Sequence, residues 1–409
     1  MPGRDNPGGS QLSRRHLLLG GAVGLTAAGA AAAAVASRPE DHDAPTPPEA
    51  LFGDDRVPFH GTHQAGVATP PPAHVAFVAL DLLAQTDATA LARLMRILTD
   101  DAVRLTQGRG ALADTEPELA TSPARLTVTF GFGPGFVERA GAAASPSWLR
   151  PLPAFGIDRL EDRWSGGDLL LQVCADDPLT VAHAVRMLLK DSRTFTSLRW
   201  SQRGFRRAHG TEPATATVRN LFGQVDGTVN PAPGTDDFER LVWSHGQVPW
   251  LEGGTSLVLR RIAMDLDRWD LVDRAGRESA VGRRLDTGAP LTGVAEHDEP
   301  DFDAKTPAGF PVIADYSHLR RARSDDPGQK ILRRAYNYDD EPGTDDGVSR
   351  SGLLFAAYQA DVDAQFVPIQ RRLDELDLLN EWTTPIGSAV FAIPPGCQAD
   401  GFVGDTLLA

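Results

Sequence analysis

The chain has 409 residues, 41% of them hydrophobic and 23% charged, with a formal net charge of −15. Those are globular proportions, and the length suits two domains plus a leader. So acidic a surface repels phosphate backbones, so no nucleic-acid partner is expected. Cys174 and Cys397 are the only cysteines; two thiols cannot form a four-thiolate metal site, and a disulfide between them stays open.

Residues 1–36 read as a targeting segment. Ser13-Arg14-Arg15-His16 precedes a Gly/Ala-rich apolar stretch that ends in Ala34-Val35-Ala36, an A-x-A cleavage signal. Paired arginines before a weakly apolar run mark twin-arginine export, with the twin-arginine translocase as partner and an extracellular or cell-envelope destination. That route carries folded cargo, which often already holds a cofactor. Residues 37–72, rich in Pro, Asp and Gly, are expected to be a largely irregular linker.

From residue 73 onward strand and helix patterns alternate. His74 to Leu82 predicts a strand, and Leu91, Leu94, Met95 and Leu98 a helix. Leu126–Gly131 is a further short strand. Asp168 to Cys174 predicts a strand, with Val181, Ala184, Val185 and Leu188 marking the next helix. Thr255 to Met264 is strand-like and Leu266 to Val272 helical. Gly352 to Gln359 repeats the strand, Phe366, Ile369, Leu373 and Leu376 the helix, and Ser388–Ile393 a last strand. Two strand-helix units in each half predict an α+β fold of two ferredoxin-like domains, each an antiparallel sheet with helices packed on it, in the manner of a dimeric α+β barrel. The polar stretch Arg203–Thr217 is the expected boundary, giving domains at 73–210 and 211–409.

Three segments carry candidate chemistry. In Asn220-Leu-Phe-Gly223-Gln-Val-Asp226-Gly227, glycines flank a lone aspartate and permit close approach of a planar ligand, although the fragment alone reads more readily as an ordinary Asp-Gly turn between strands. His318 is followed by Arg320, Arg321, Arg323, Arg333 and Arg334. Such a run is commonly a solvated face, yet in an acidic chain it can also hold carboxylates or a developing oxyanion. Glu381, in Leu-Asn-Glu-Trp, is a helix-end residue unless it accepts the Nδ1 proton of a ligating His318.

Together these segments resemble the dye-decolourising peroxidases, particularly their EfeB-like, twin-arginine-exported branch. The likeness runs from Gly61-Thr-His-Gln-Ala-Gly to Pro394-Pro395-Gly396, and is most specific at Gly223-x-x-Asp226-Gly227 and in the block from His318 to Leu332-Arg333-Arg334. Ala335 stands where glycine is common after the arginine pair.

The resemblance implies one b-type haem per chain in the C-terminal domain, non-covalent since no C-x-x-C-H run is present. It makes His318 the axial iron ligand and Asp226 and Arg333 the catalytic pair on the other face. Gly223, Gly227 and Arg320 would contact the cofactor, and Glu381 would be the proximal carboxylate. Asp226 would take a proton from hydrogen peroxide while Arg333 stabilises the departing oxygen. A carboxylate stays ionised in acid where an imidazole is protonated, so an acidic optimum is expected. Bulky dyes do not fit a small pocket, so Trp243, Trp250, Trp382, Tyr336 and Tyr338 are candidates to pass electrons from a reducing substrate. The alternative is a haem-handling, deferrochelatase-like protein that releases iron to an uptake system. A secreted binding module without metal is the third reading.

Overall fold

The computed structural model describes residues 51–409 apart from 214, 247 and 343–346. The leader and the first part of the linker therefore lie outside the described residues. The N-terminal half contains β1 (His74–Leu82), α1 (Ala88–Thr106), β2 (Thr127–Phe132), α2 (Pro134–Arg139), β3 (Leu169–Ala175), α3 (Pro178–Ser192) and β4 (Thr196–Phe205). Its strands lie in the order β2-β3-β1-β4, all antiparallel. The C-terminal half contains α4 (Asp236–Val242), β5 (Thr255–Met264), α5 (Leu266–Trp269), α6 (Arg274–Val281), α7 (His318–Ala322), β6 (Leu332–Arg333), β7 (Tyr336–Asp340), β8 (Arg350–Gln359), α8 (Val367–Leu376) and β9 (Thr383–Ile393). There β9 pairs with β5, β5 with β8, and β8 with the β6/β7 segment. Counting β6/β7 as one interrupted strand, each half has the ferredoxin-like order fourth-first-third-second.

The two sheets meet edge to edge. Phe132 of β2 pairs with Ala392 of β9, and Phe205 of β4 with Asn337 of β7. Because β5 also pairs with β8, the strands close into one barrel. Each seam is a single bridge, so the outer strands meet only at their ends. Side-chain alternation then sorts the residues. Phe77, Cys174, Leu257, Tyr336, Tyr358 and Phe391 fill the barrel interior. The opposite face of the N-terminal sheet packs α1 and α3 through residues such as Val78, Leu94, Leu98 and Leu188. On the corresponding outer face of the C-terminal sheet, Ile262, Met264, Leu353 and Phe355 meet residues of α6, α7 and α8 around a cavity.

Several local outcomes depart from the sequence reading. The helix expected over Leu266–Val272 stops at Trp269, because Asp273 caps a new one by accepting from the Gly276 amide at 2.7 Å. β4 was not anticipated: Leu198, Arg199 and Ser201 face solvent on it, so hydrophobic alternation is weak. The end of the linker is irregular but docked. Gln64 donates to Phe130 O and Pro394 O and accepts from the Phe130 amide, which ties residue 64 to both halves. Cys174 and Cys397 are both buried and free.

Candidate active site

The cavity, of about 390 Å³, opens between the outer face of the C-terminal sheet and α6–α8. Its walls include Phe222, Ile262, Met264, Leu353, Phe355 and Phe366, and polar groups enter it from three places.

The first is the loop from Asn220. Asn220 Oδ1 accepts from the Phe222 and Gln224 amides, and Arg219 donates to Gly223 O, Leu285 O and Asp286 O. Gly223 and Gly227 have φ of +78° and +136°, conformations that favour glycine and turn Asp226 into the cavity. Gly227 lines the cavity, whereas Gly223 shapes the turn behind it.

The second is β6. Asn230 clamps Arg333 through both main-chain groups, accepting from its amide at 3.0 Å and donating to its carbonyl at 2.7 Å. So held, Arg333 Nη1 donates to Asp226 Oδ1 at 2.7 Å. Strand alternation decides between the adjacent arginines. Arg334 points through the sheet into the barrel interior, donates to Thr69 O, and is 2% exposed.

The third is α7 with the end of α8. His318 opens α7, and its Nδ1 donates to Asp377 Oδ2 at 2.6 Å. Asp377, at the C-terminus of α8, is buried, and its other oxygen accepts from the Leu379 amide. Burial disfavours the imidazolium, but the Asp377 carboxylate outweighs it and holds the His318 pKa above its ordinary value. Nδ1 is thus committed, and Nε2 is the ring nitrogen left for a ligand. The charges of Arg333 and Asp226 also act on His318, the first lowering and the second raising its pKa.

Two of the expected contacts are corrected. Glu381 is not the partner of His318. A short 3₁₀ turn, Leu378–Glu381, carries its side chain outward, where it lies 3.8 Å from Arg268 and is 63% exposed. Arg320 does not line the cavity: it donates to Phe302 O and pairs with Asp315 at 3.1 Å. Two residues along a helix is more than half a turn, so Arg320 leaves His318 on another face. Besides Arg333, the cations that line the cavity are Arg283, Arg323 and Lys330. Asp377 could have been suspected as the carboxylate enclosed by leucines in Leu376-Asp377-Leu378. Nothing local signalled Arg219 or Asn230, whose partners are set by tertiary structure.

Residues 64–206 match the family model for the Dyp-type peroxidase N-terminal domain, and residues 217–398 that for the C-terminal domain. The chain belongs to the Dyp-type peroxidase family. It is 39% identical to a dye-decolorizing peroxidase of Thermobifida fusca, with 97% of each chain covered. It is 36% identical to a deferrochelatase of Escherichia coli (strain UTI89 / UPEC), with each covered in full. The crystal structure of a DyP-type peroxidase from Cellulomonas bogoriensis superposes with a TM-score of 0.85 at 56% identity, covering 88% of this chain and 99% of that one. The fold and the peroxidase class of this chain follow from membership.

Proposed function

We propose that this chain is a haem peroxidase, exported by the twin-arginine route, that reduces hydrogen peroxide with electrons from dyes or other bulky phenolic reductants. The observation that carries the reading is the presence, on one apolar-walled cavity, of the His318–Asp377 and Arg333–Asp226 pairs. The donor set suits non-covalent haem b. His318 offers Nε2 to iron with its tautomer fixed by a buried carboxylate. Apolar walls suit the porphyrin, and Arg283, Arg323 and Lys330 offer cations to its propionates.

Bound there, haem supplies the redox iron at which the peroxide O–O bond is broken. Asp226 takes the proton from one peroxide oxygen and returns it to the other, which leaves as water. Arg333, held by Asn230 and hydrogen-bonded to Asp226, orients that carboxylate and offers N–H groups to the negative charge developing on the leaving oxygen. Asp377 keeps Nδ1 of His318 protonated and aims the ring. The Arg14-Arg15 pair and Ala34-Val35-Ala36 support export, in which the translocase is the partner.

An absorption spectrum of the haem-loaded mature protein tests this, taken before and after one equivalent of hydrogen peroxide, beside His318→Ala. The expected result is a Soret band that peroxide shifts and that His318→Ala loses or displaces. No haem band at all would overturn the reading. The likeness to a deferrochelatase favours a second reading, release of iron from haem to an uptake system. A Soret band indifferent to peroxide, with metal-free porphyrin recovered after incubation, would establish that one instead.

A further inference from the structure

On the far side of the sheet from the cavity, one end of the barrel interior is rich in hydrogen-bond donors and short of negative charge. Arg333 is paired with Asp226. Arg334 and Arg206 are paired with no carboxylate among the described residues. Arg334, 2% exposed, donates from Nη1 to Thr69 O, while its Nε and Nη2 are buried without a partner. Arg206 donates to Ala335 O and lies over the Tyr336 ring, 4.7 Å from its centre. Burial first, and the charge of Arg334 after it, lower the Arg206 pKa, so the two cations feel one another. The Tyr336 hydroxyl is also buried and unpartnered. So is Oγ1 of Thr127, which stands opposite Cys174 in the pairing of β2 with β3.

We propose that this end of the barrel binds a monovalent anion of chloride size, held by Arg334 Nε and Nη2, the Tyr336 hydroxyl and the Thr127 hydroxyl. It is a site separate from the cavity and independent of the haem peroxidase reading.

A guanidinium taken out of water is costly unless an opposite charge goes with it, and unpartnered buried donors add to that cost. The groups nearest Arg334 do not supply the charge. Burial pushes the Cys174 thiol up, although Arg334 and Tyr336 both reach it, and burial pushes the Tyr336 phenol up likewise. Both therefore stay neutral and offer hydrogens to an anion. A buried water would satisfy donors but would leave the charge uncompensated. Size is limited by the close-packed Phe77, Cys174, Leu354 and Tyr358 of the same interior, each fully buried. Residues 66–69 close the site from outside, since Gly66 O accepts from Gln172 and Thr69 O from Arg334. Arg334 follows Arg333 directly and points to the opposite side of the sheet, so an ion held there braces from behind the segment that carries Arg333 into the cavity.

The test follows the melting temperature of the haem-loaded protein as sodium chloride replaces sodium gluconate at constant ionic strength. An ion bound only by the folded chain raises it with concentration, here by about 2 °C per tenfold rise in chloride once the site begins to fill. Bromide should act as chloride does. Arg334→Met should abolish the dependence, and Tyr336→Phe, which keeps the charge and the shape, should weaken it. Crystals grown in bromide should give an anomalous peak within hydrogen-bonding reach of Arg334 Nε and Tyr336 Oη. Melting indifferent to chloride would overturn the site, and so would an equal dependence in wild type and Tyr336→Phe with no bromide peak beside Arg334. An ion at the haem iron alone would give that second pattern, with its peak in the cavity.

Discussion

At the scale of single residues, the distinction that matters most is between two carboxylates four positions apart. Asp377 is buried against His318, and Glu381 is solvated beside Arg268. Only a carboxylate out of water acts strongly on a neighbouring imidazole, since solvent screens the other. In the haem-free protein the His318 imidazolium should persist above the ordinary pH range, because its pKa is raised. Asp377→Asn should lower that pKa, and Glu381→Gln should leave it where it is. Histidine proton resonances followed across a pH titration read both outcomes, and a shift in the Glu381 variant alone would invert the assignment. His318, Asp226 and Arg333 were legible in the sequence because their residue types and order carry the pattern. Choosing the carboxylate and the orientation of Arg320 needed the exit angle of a 3₁₀ turn and the winding of a five-residue helix, which spacing does not give.

At the scale of elements, the cavity depends on how a two-residue strand is fixed. β6 pairs with β8 only at Leu332 and Arg333, too little to hold the Arg333 side chain in place by sheet bonding alone. Asn230 supplies the remainder, by bonding both main-chain groups of Arg333. Asn230→Ala should cost about 1–3 kcal/mol, since two partners on Arg333 lose their bonds. It should also lower the rate of reaction with peroxide by about tenfold while leaving haem affinity near wild type. Denaturant melts, stopped-flow mixing with peroxide and haem titration measure the three. Equal losses in all three would mean that Asn230 serves stability and not position. The strands that form the cavity wall were readable from their apolar runs. β6 was not, because its partners lie beyond the chain's local pattern and its register comes from Asn230, 103 residues away.

At the scale of the whole molecule, one buried acid makes stability depend on pH in the sense opposite to most carboxylates. Asp101, on α1, is 2% exposed and faces Asp191, in the last turn of α3. Burial first, and then Asp191, raise its pKa from 3.8 to about 7. Folding therefore favours the protonated form. Its contribution to stability is complete below the unfolded value near 3.8 and is lost as the pH rises through about 7. Above that point two carboxylates repel one another in the packing of α1 on α3, in a chain whose net charge is already −15. The melting temperature of the wild type should fall between pH 5 and pH 8. Asp101→Asn, neutral at every pH, should remove most of that slope and melt above the wild type at pH 8. Calorimetry at a series of pH values, on the haem-free and loaded proteins alike, checks this. The slope should survive in both, because Asp101 belongs to the N-terminal half and the cavity is built almost entirely from the other; a slope found only in the haem-free protein would tie it to His318 instead, whose ring is free to titrate only when no iron is bound.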